Sequence, residues 1–73
     1  MCNEILLLKT KPHSYNDIKG MSIVLDNHSR IARWNIDLDD SDKILRIESE
    51  GLAAGEIINL LYKIGIWSEE LLD

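Results

Sequence analysis

The sequence predicts a single α+β domain with the element order β-α-β-β-α-β, and three observations predict it. Four segments carry the apolar pattern of strands, either an unbroken apolar run or an alternation of apolar and polar residues. Two segments between them repeat their apolar residues with the helical period of about 3.6. The length of 73 residues accommodates one domain and leaves no room for a second. Residues 1–73 are therefore expected to form one unit.

The first strand and the first helix are separated by a proline. The four consecutive apolar residues Ile5–Leu8 predict a central strand that meets apolar surface on both faces and continues to Lys11. Pro12 ends it, because proline has no N–H for the ladder. Ser14 is the expected N-cap of the helix, with Asp17 at the third helical position. The predicted apolar stripe of this helix consists of Ile18, Met21, Ser22 and Leu25.

The middle of the chain changes period and predicts a β-hairpin. One strand is expected to alternate Ala32, Trp34, Ile36 and Leu38 with polar residues, and the next to alternate Leu45 and Ile47 with Ile44, Arg46 and Glu48. The polar segment 39–42 between them is typical of a turn. Trp34 is expected in the core because it is in phase with Ile36.

The last third of the chain predicts a second helix and a short edge strand. The expected buried residues of the helix are Ile57, Leu60, Leu61 and Ile64. Gly65 fits the left-handed position that ends a helix. Ile66–Leu71 is long enough for a final strand, and Glu69 and Glu70 would discourage pairing with another sheet edge.

These elements combine in one arrangement. Each helix can act as a right-handed crossover between strands of one sheet. The predicted fold is therefore ferredoxin-like: a four-stranded antiparallel sheet, two helices on one of its faces, and the other face open.

The charge and the cysteine content exclude several function classes. With a formal net charge of -5, the chain lacks the concentrated positive charge that nucleic acids and anionic membranes require, so neither is an expected partner. The single cysteine, Cys2, allows no intramolecular disulfide, and no long apolar segment predicts export. The expected location is the cytoplasm.

Three segments resemble the heavy-metal-associated domain family, the small copper-chaperone-like modules. They are Ile31–Leu38 with Trp34 and Ile36 in it, Lys43–Ile47 beside it, and the run from Glu56 to Ile66 with its closing glycine turn. The resemblance implies the ferredoxin-like fold and a Cys-x-x-Cys metal site in the loop after the first strand. Here that loop, residues 10–17, contains no cysteine. No metal ligand of the family is therefore transferred to this chain.

Two kinds of site follow from the residues. Cys2 and His13 could form an alternative metal site, but an extended strand would hold them about 30 Å apart at roughly 3.3 Å per residue. A dimer could bring them together. The open sheet face could be an interface for a protein partner or a second copy, and its expected apolar residues are Leu6, Leu8, Ile44 and Trp67.

The sequence therefore predicts a non-catalytic binding module that needs no cofactor and resembles a heavy-metal-associated domain without its thiolate pair. The alternative is a metal-binding or metal-transport protein with other ligands. A third hypothesis, a small acyl-phosphate hydrolase on the same fold, requires an arginine in the first loop, where Lys11 is the only cation. Fold alone does not support that activity.

Overall fold

The structure, a computed structural model, describes residues 4–71 and contains the six predicted elements. They are β1 (Glu4–Thr10), α1 (Tyr15–Asp26), β2 (Ile31–Ile36), β3 (Leu45–Ser49), α2 (Ala54–Lys63) and β4 (Ser68–Glu70). The strands form one antiparallel sheet in the order β2-β3-β1-β4. The predicted ferredoxin-like fold is confirmed, and so is the central position of β1.

The sheet buries every second residue beneath the helices. Leu8 and Thr10 of β1 are buried, as are Leu45 and Ile47 of β3, whereas the alternate residues face the open side. The core consists of Leu8, Met21, Leu25, Leu45, Ile47, Leu52, Ile57, Leu61 and Ile66. It therefore lies between the two helices and one face of the sheet.

Helix α1 begins where the sequence predicts. The Ser14 hydroxyl accepts a hydrogen bond from the Asp17 N–H at 3.4 Å, and Asp17 Oδ2 accepts one from the His13 N–H at 2.7 Å. The side chain of Asp17 thus reaches one residue beyond the N-cap and fixes the end of the preceding loop.

The β2–β3 hairpin is confirmed, but β2 ends before Leu38. The Asp37 carboxylate accepts a hydrogen bond from the Asp39 N–H at 3.1 Å, which starts the turn at this point. Leu38 therefore lies in the turn and is exposed. Trp34 is half-buried against the core, and its Nε1 donates to Asp26 Oδ1 at 2.7 Å.

Helix α2 ends in a Schellman motif, and the last strand therefore begins later in the sequence than predicted. The N–H of Ile66 donates to the Leu61 carbonyl, and the N–H of Gly65 donates to the Tyr62 carbonyl, with Gly65 at φ +82°. Ile66 therefore completes the helix end and packs in the core. The expected strand over Ile66–Leu71 is shortened to β4, and Ile64, expected to be buried, is partly exposed beyond the last helical residue.

Neither helix in residues 4–71 has the length and apolar content needed to cross a membrane.

Candidate functional site

The loop between β1 and α1 contains an exposed histidine, His13, and a lysine, Lys11, whose side chain lies over the Trp67 ring. His13 is exposed and lies beside an open depression of about 320 Å³ formed with Pro12, Tyr15, Ile18, Leu38 and Lys43. Lys11 Nζ lies 5.1 Å from the centre of the Trp67 ring, a cation–π distance. Within residues 4–71, no three His, Cys, Asp or Glu side chains are grouped so that they could hold a metal ion.

The predicted metal site of Cys2 and His13 lies partly outside the described residues. Cys2 lies outside residues 4–71. His13 follows the carboxyl end of β1, whereas Glu4, at the opposite end of that strand, pairs with Ser49. A metal site that used His13 would therefore need ligands from another molecule or from outside the described residues.

The open sheet face carries an apolar strip along β1 and β4. Ile5 is 50% exposed and Leu7 is 38% exposed, whereas Trp67, 45% exposed, lies on the far side of the Lys9–Glu69 pair. Leu71 continues the alternation of β4, and its N–H donates to the Leu7 carbonyl at 2.9 Å, so it lies on the same face. Ile44 borders this strip from the β3 side and is half-buried.

The placement of two predicted interface residues on this face is wrong. Leu8 is fully buried in the core, and Leu6 is half-buried against it, because both lie on the helix side of β1. Ile44 and Trp67 do lie on the open side, and their role in an interface stays a prediction. The apolar residues that β1 exposes are instead Ile5 and Leu7.

One signal in the sequence could have identified the exposed side of β1. Lys9 alternates with Ile5 and Leu7, whereas the short side chain of Thr10 alternates with Leu8. A lysine favours the face that meets water, so its parity marks the open side. The four consecutive apolar residues Ile5–Leu8 show no alternation of their own, so the pattern is easily overlooked.

The open face carries charges of both signs. Arg33 and Arg46 lie 3.6 and 3.9 Å from the Glu48 carboxylate, and Lys9 pairs in register with Glu69. At the hairpin end of the face, Asp37 continues β2 opposite Ile44, and Asp42 lines the same depression as Lys9, Lys11 and Glu69. Cations therefore outnumber carboxylates only on the β2–β3 side, where Arg33 and Arg46 flank Glu48.

Comparison with solved structures confirms the fold. The chain is similar to the copper(I)-loaded first domain of the human copper chaperone for SOD1, CCS, with a TM-score of 0.78, 13% identity, and 96% of this chain and 94% of that chain covered. It is also similar to the yeast copper transporter domain Ccc2a, solved in the apo and Cu(I)-loaded states, with a TM-score of 0.78, 14% identity, and coverages of 94% and 96%. At these identities the likeness establishes the fold alone.

No protein-family model matches the sequence, and no curated protein matches it.

Proposed function

We propose that this chain is a non-catalytic protein-binding module on a copper-chaperone-like scaffold, which acts in the cytoplasm without a thiolate pair. Its open sheet face binds a partner protein. The observation that carries the proposal is the exposed apolar strip of Ile5 and Leu7 on that face, with Trp67 beyond the Lys9–Glu69 pair. Adjacent apolar side chains on an otherwise charged surface are typical of an interaction site.

The charge beside the apolar strip indicates the kind of partner. Arg33 and Arg46 outnumber the single carboxylate Glu48 on the β2–β3 side of the open face. A partner surface that places carboxylates against these two arginines is therefore favoured. The expected partner surface is apolar where it meets Ile5 and Leu7 and acidic where it meets the arginines.

The non-catalytic part of the proposal is supported by the first loop. An acyl-phosphate hydrolase needs a free cation there to hold the phosphate. Lys11 is instead positioned over the Trp67 ring. A turnover assay with acetyl phosphate tests this, and hydrolysis above background that a Lys11→Ala variant loses would contradict it.

The test of the binding face is a comparison of two surface variants. Leu7→Asp places a charge in the apolar strip, and Ile23→Asp makes the same change at an exposed position of α1. Proteins captured from the source cells by the parent chain are identified by mass spectrometry, purified and titrated against all three chains by calorimetry. We expect a binder with an acidic surface that Ile23→Asp retains and Leu7→Asp loses.

Two results would contradict the binding face. One is equal affinity of the captured binder for Leu7→Asp and Ile23→Asp. The other is concentration-dependent dimerisation of the parent chain in analytical ultracentrifugation that Leu7→Asp abolishes, because it would assign the strip to self-association.

The alternative function is metal binding or transport through other ligands. Two observations favour it: both solved structures described above are copper domains, and His13 is exposed in the loop after β1. Cu(I) and Zn(II) are titrated against a competing chelator under reducing conditions, with Cys2→Ser and His13→Ala as controls. Binding that survives the competitor and is lost in either control would establish this alternative, and its absence would leave the protein-binding module.

A further inference from the structure

A second surface, separate from the apolar strip on the open face, lies between α2 and the edge strand β4. An open groove of about 350 Å³ runs there along one side of the helix. It is lined by Gly55, Ile58, Asn59, Tyr62, Ile66, Trp67 and Ser68. The helical residues recur at intervals of three and four, so they form one continuous side of α2. A Cβ added at Gly55 would meet no atom within 4 Å, so this end of the groove is empty space.

A buried hydroxyl without a partner lines the groove. Ser68 is only 7% exposed, and its Oγ has no hydrogen-bond partner among the described residues. Its cross-strand neighbour Thr10 is also buried, but the Thr10 hydroxyl donates to the Lys43 carbonyl at 2.7 Å. A buried hydroxyl without a hydrogen-bond partner is unfavourable. A bound group that hydrogen-bonds to Ser68 would remove this cost and thereby bind more tightly.

The outer edge of β4 offers backbone groups beside the same groove. Lys11 N–H donates to the Trp67 carbonyl, and Leu71 N–H donates to the Leu7 carbonyl. In an antiparallel ladder, the residues at alternate positions direct their backbone groups to opposite sides. Ser68 and Glu70 therefore direct their N–H and C=O groups away from β1, where an added strand could pair with them.

The charge at the outer edge of β4 determines which kind of added strand could pair with it. Glu69 and Glu70 are exposed, and within residues 4–71 neither takes part in an ion pair. Two adjacent carboxylates repel an acidic edge, including the β4 edge of a second copy. They attract a segment that carries lysine or arginine.

From these observations we infer that the α2–β4 groove binds an extended basic peptide segment of a partner protein. The segment adds to the outer edge of β4, places one apolar side chain between Tyr62 and Trp67, and directs its cations to Glu69 and Glu70. Backbone pairing with Ser68 and Glu70 would supply affinity, and the groove would supply specificity. This inference shares Trp67 and Glu69 with the open face and does not depend on Ile5 and Leu7.

The test selects a phage-displayed library of random peptides, each about ten residues long, against the full chain. Enriched peptides are synthesised and titrated by fluorescence anisotropy. Gly55→Leu fills the groove and Gly55→Ala is its matched control. We expect enriched peptides with an apolar residue flanked by lysine or arginine, and a loss of about tenfold or more in affinity for Gly55→Leu only. Methylation of the peptide backbone nitrogens that face β4 should cause a similar loss.

Amide hydrogen exchange gives an independent readout in the same experiment. Bound peptide should slow the exchange of the Ser68 and Glu70 amides, and Leu7→Asp should leave peptide affinity unchanged. The inference is overturned if no basic peptide is enriched, if Gly55→Leu binds as tightly as Gly55→Ala, or if Leu7→Asp abolishes binding. The last result would assign the peptide to the open face and leave the proposed function standing.

Discussion

The hydroxyl of Thr10 donates a hydrogen bond of 2.7 Å to the backbone carbonyl of Lys43, across 33 positions of sequence. The adjacent Thr10 N–H donates to the Asp42 carbonyl at 3.1 Å. These two bonds fasten the end of the central strand to the β2–β3 turn. They fix the point from which the β1–α1 loop leaves the sheet, and they hold Lys43 at its left-handed φ of 45°.

Replacement of the Thr10 hydroxyl should destabilise the fold. Thr10→Val keeps the size of the side chain but leaves the Lys43 carbonyl without its donor. We expect the free energy of unfolding to fall by about 1–2 kcal/mol, measured by urea denaturation. Thr10→Ser retains the hydroxyl and serves as the control. A Thr10→Val protein as stable as the parent chain would show that the bond contributes nothing.

Neighbouring leucines of β1 should differ in the stability that each loses on substitution by alanine. Leu8→Ala leaves a cavity in the core and should cost about 2–5 kcal/mol of unfolding free energy. Leu7→Ala removes a side chain from the open face and should cost about 1 kcal/mol or less. Urea denaturation of both variants measures the difference. Equal losses would contradict the assignment of the two faces.

Two glycines should differ in their tolerance of alanine. At Gly55, in the first turn of α2, a Cβ meets open space, so Gly55→Ala should stabilise the protein by about 0.5–1 kcal/mol. Gly51 has φ +71°, and its Cβ would lie 2.5 Å from an Arg30 guanidinium nitrogen. Gly51→Ala should therefore cost about 1–2 kcal/mol.

Thermal unfolding of the two alanine variants tests this contrast. A lower midpoint for Gly55→Ala, or an unchanged midpoint for Gly51→Ala, would contradict the backbone and contact analysis.

The ion pairs of the open face should contribute little to stability. Glu48 lies 3.6 Å from Arg33 and 3.9 Å from Arg46, and both arginine side chains are largely exposed. Glu48→Gln should change the free energy of unfolding by less than about 1 kcal/mol at low salt, and by less at high salt. Urea denaturation at two salt concentrations measures this. A larger loss that persists in salt would show that the arginines have a structural role beyond partner binding.

Local patterns in the sequence predicted the helix ends and the hairpin correctly. Ser14 caps α1 because its hydroxyl satisfies an N–H that the helix leaves free. Gly65 ends α2 because glycine tolerates the positive φ that the Schellman motif requires. Each of these features depends on residues a few positions apart, so the sequence contains the whole interaction.

The boundaries that failed depend on longer-range or competing interactions. The apolar residues from Ile66 onward fit a strand, but the helix end uses the Ile66 N–H first. Leu38 continues the strand alternation, but the Asp37 carboxylate starts the turn before it. Where two local patterns compete for the same residue, propensity alone does not decide which one forms.

The sequence by itself determined the order of the six elements, the ferredoxin-like fold and the absence of a cysteine pair from the β1–α1 loop. The sequence offered only the parity of Lys9 as a sign of which side of β1 is exposed, and the tertiary structure decided it, because a strand with apolar residues at consecutive positions can present either side to the core. The register of β1 with β3 settles this: it puts Leu8 opposite the buried Leu45 and Leu7 opposite the exposed Arg46. The groove between α2 and β4 likewise arises only when the two elements pack together, because its lining comes from segments that the helix end brings side by side.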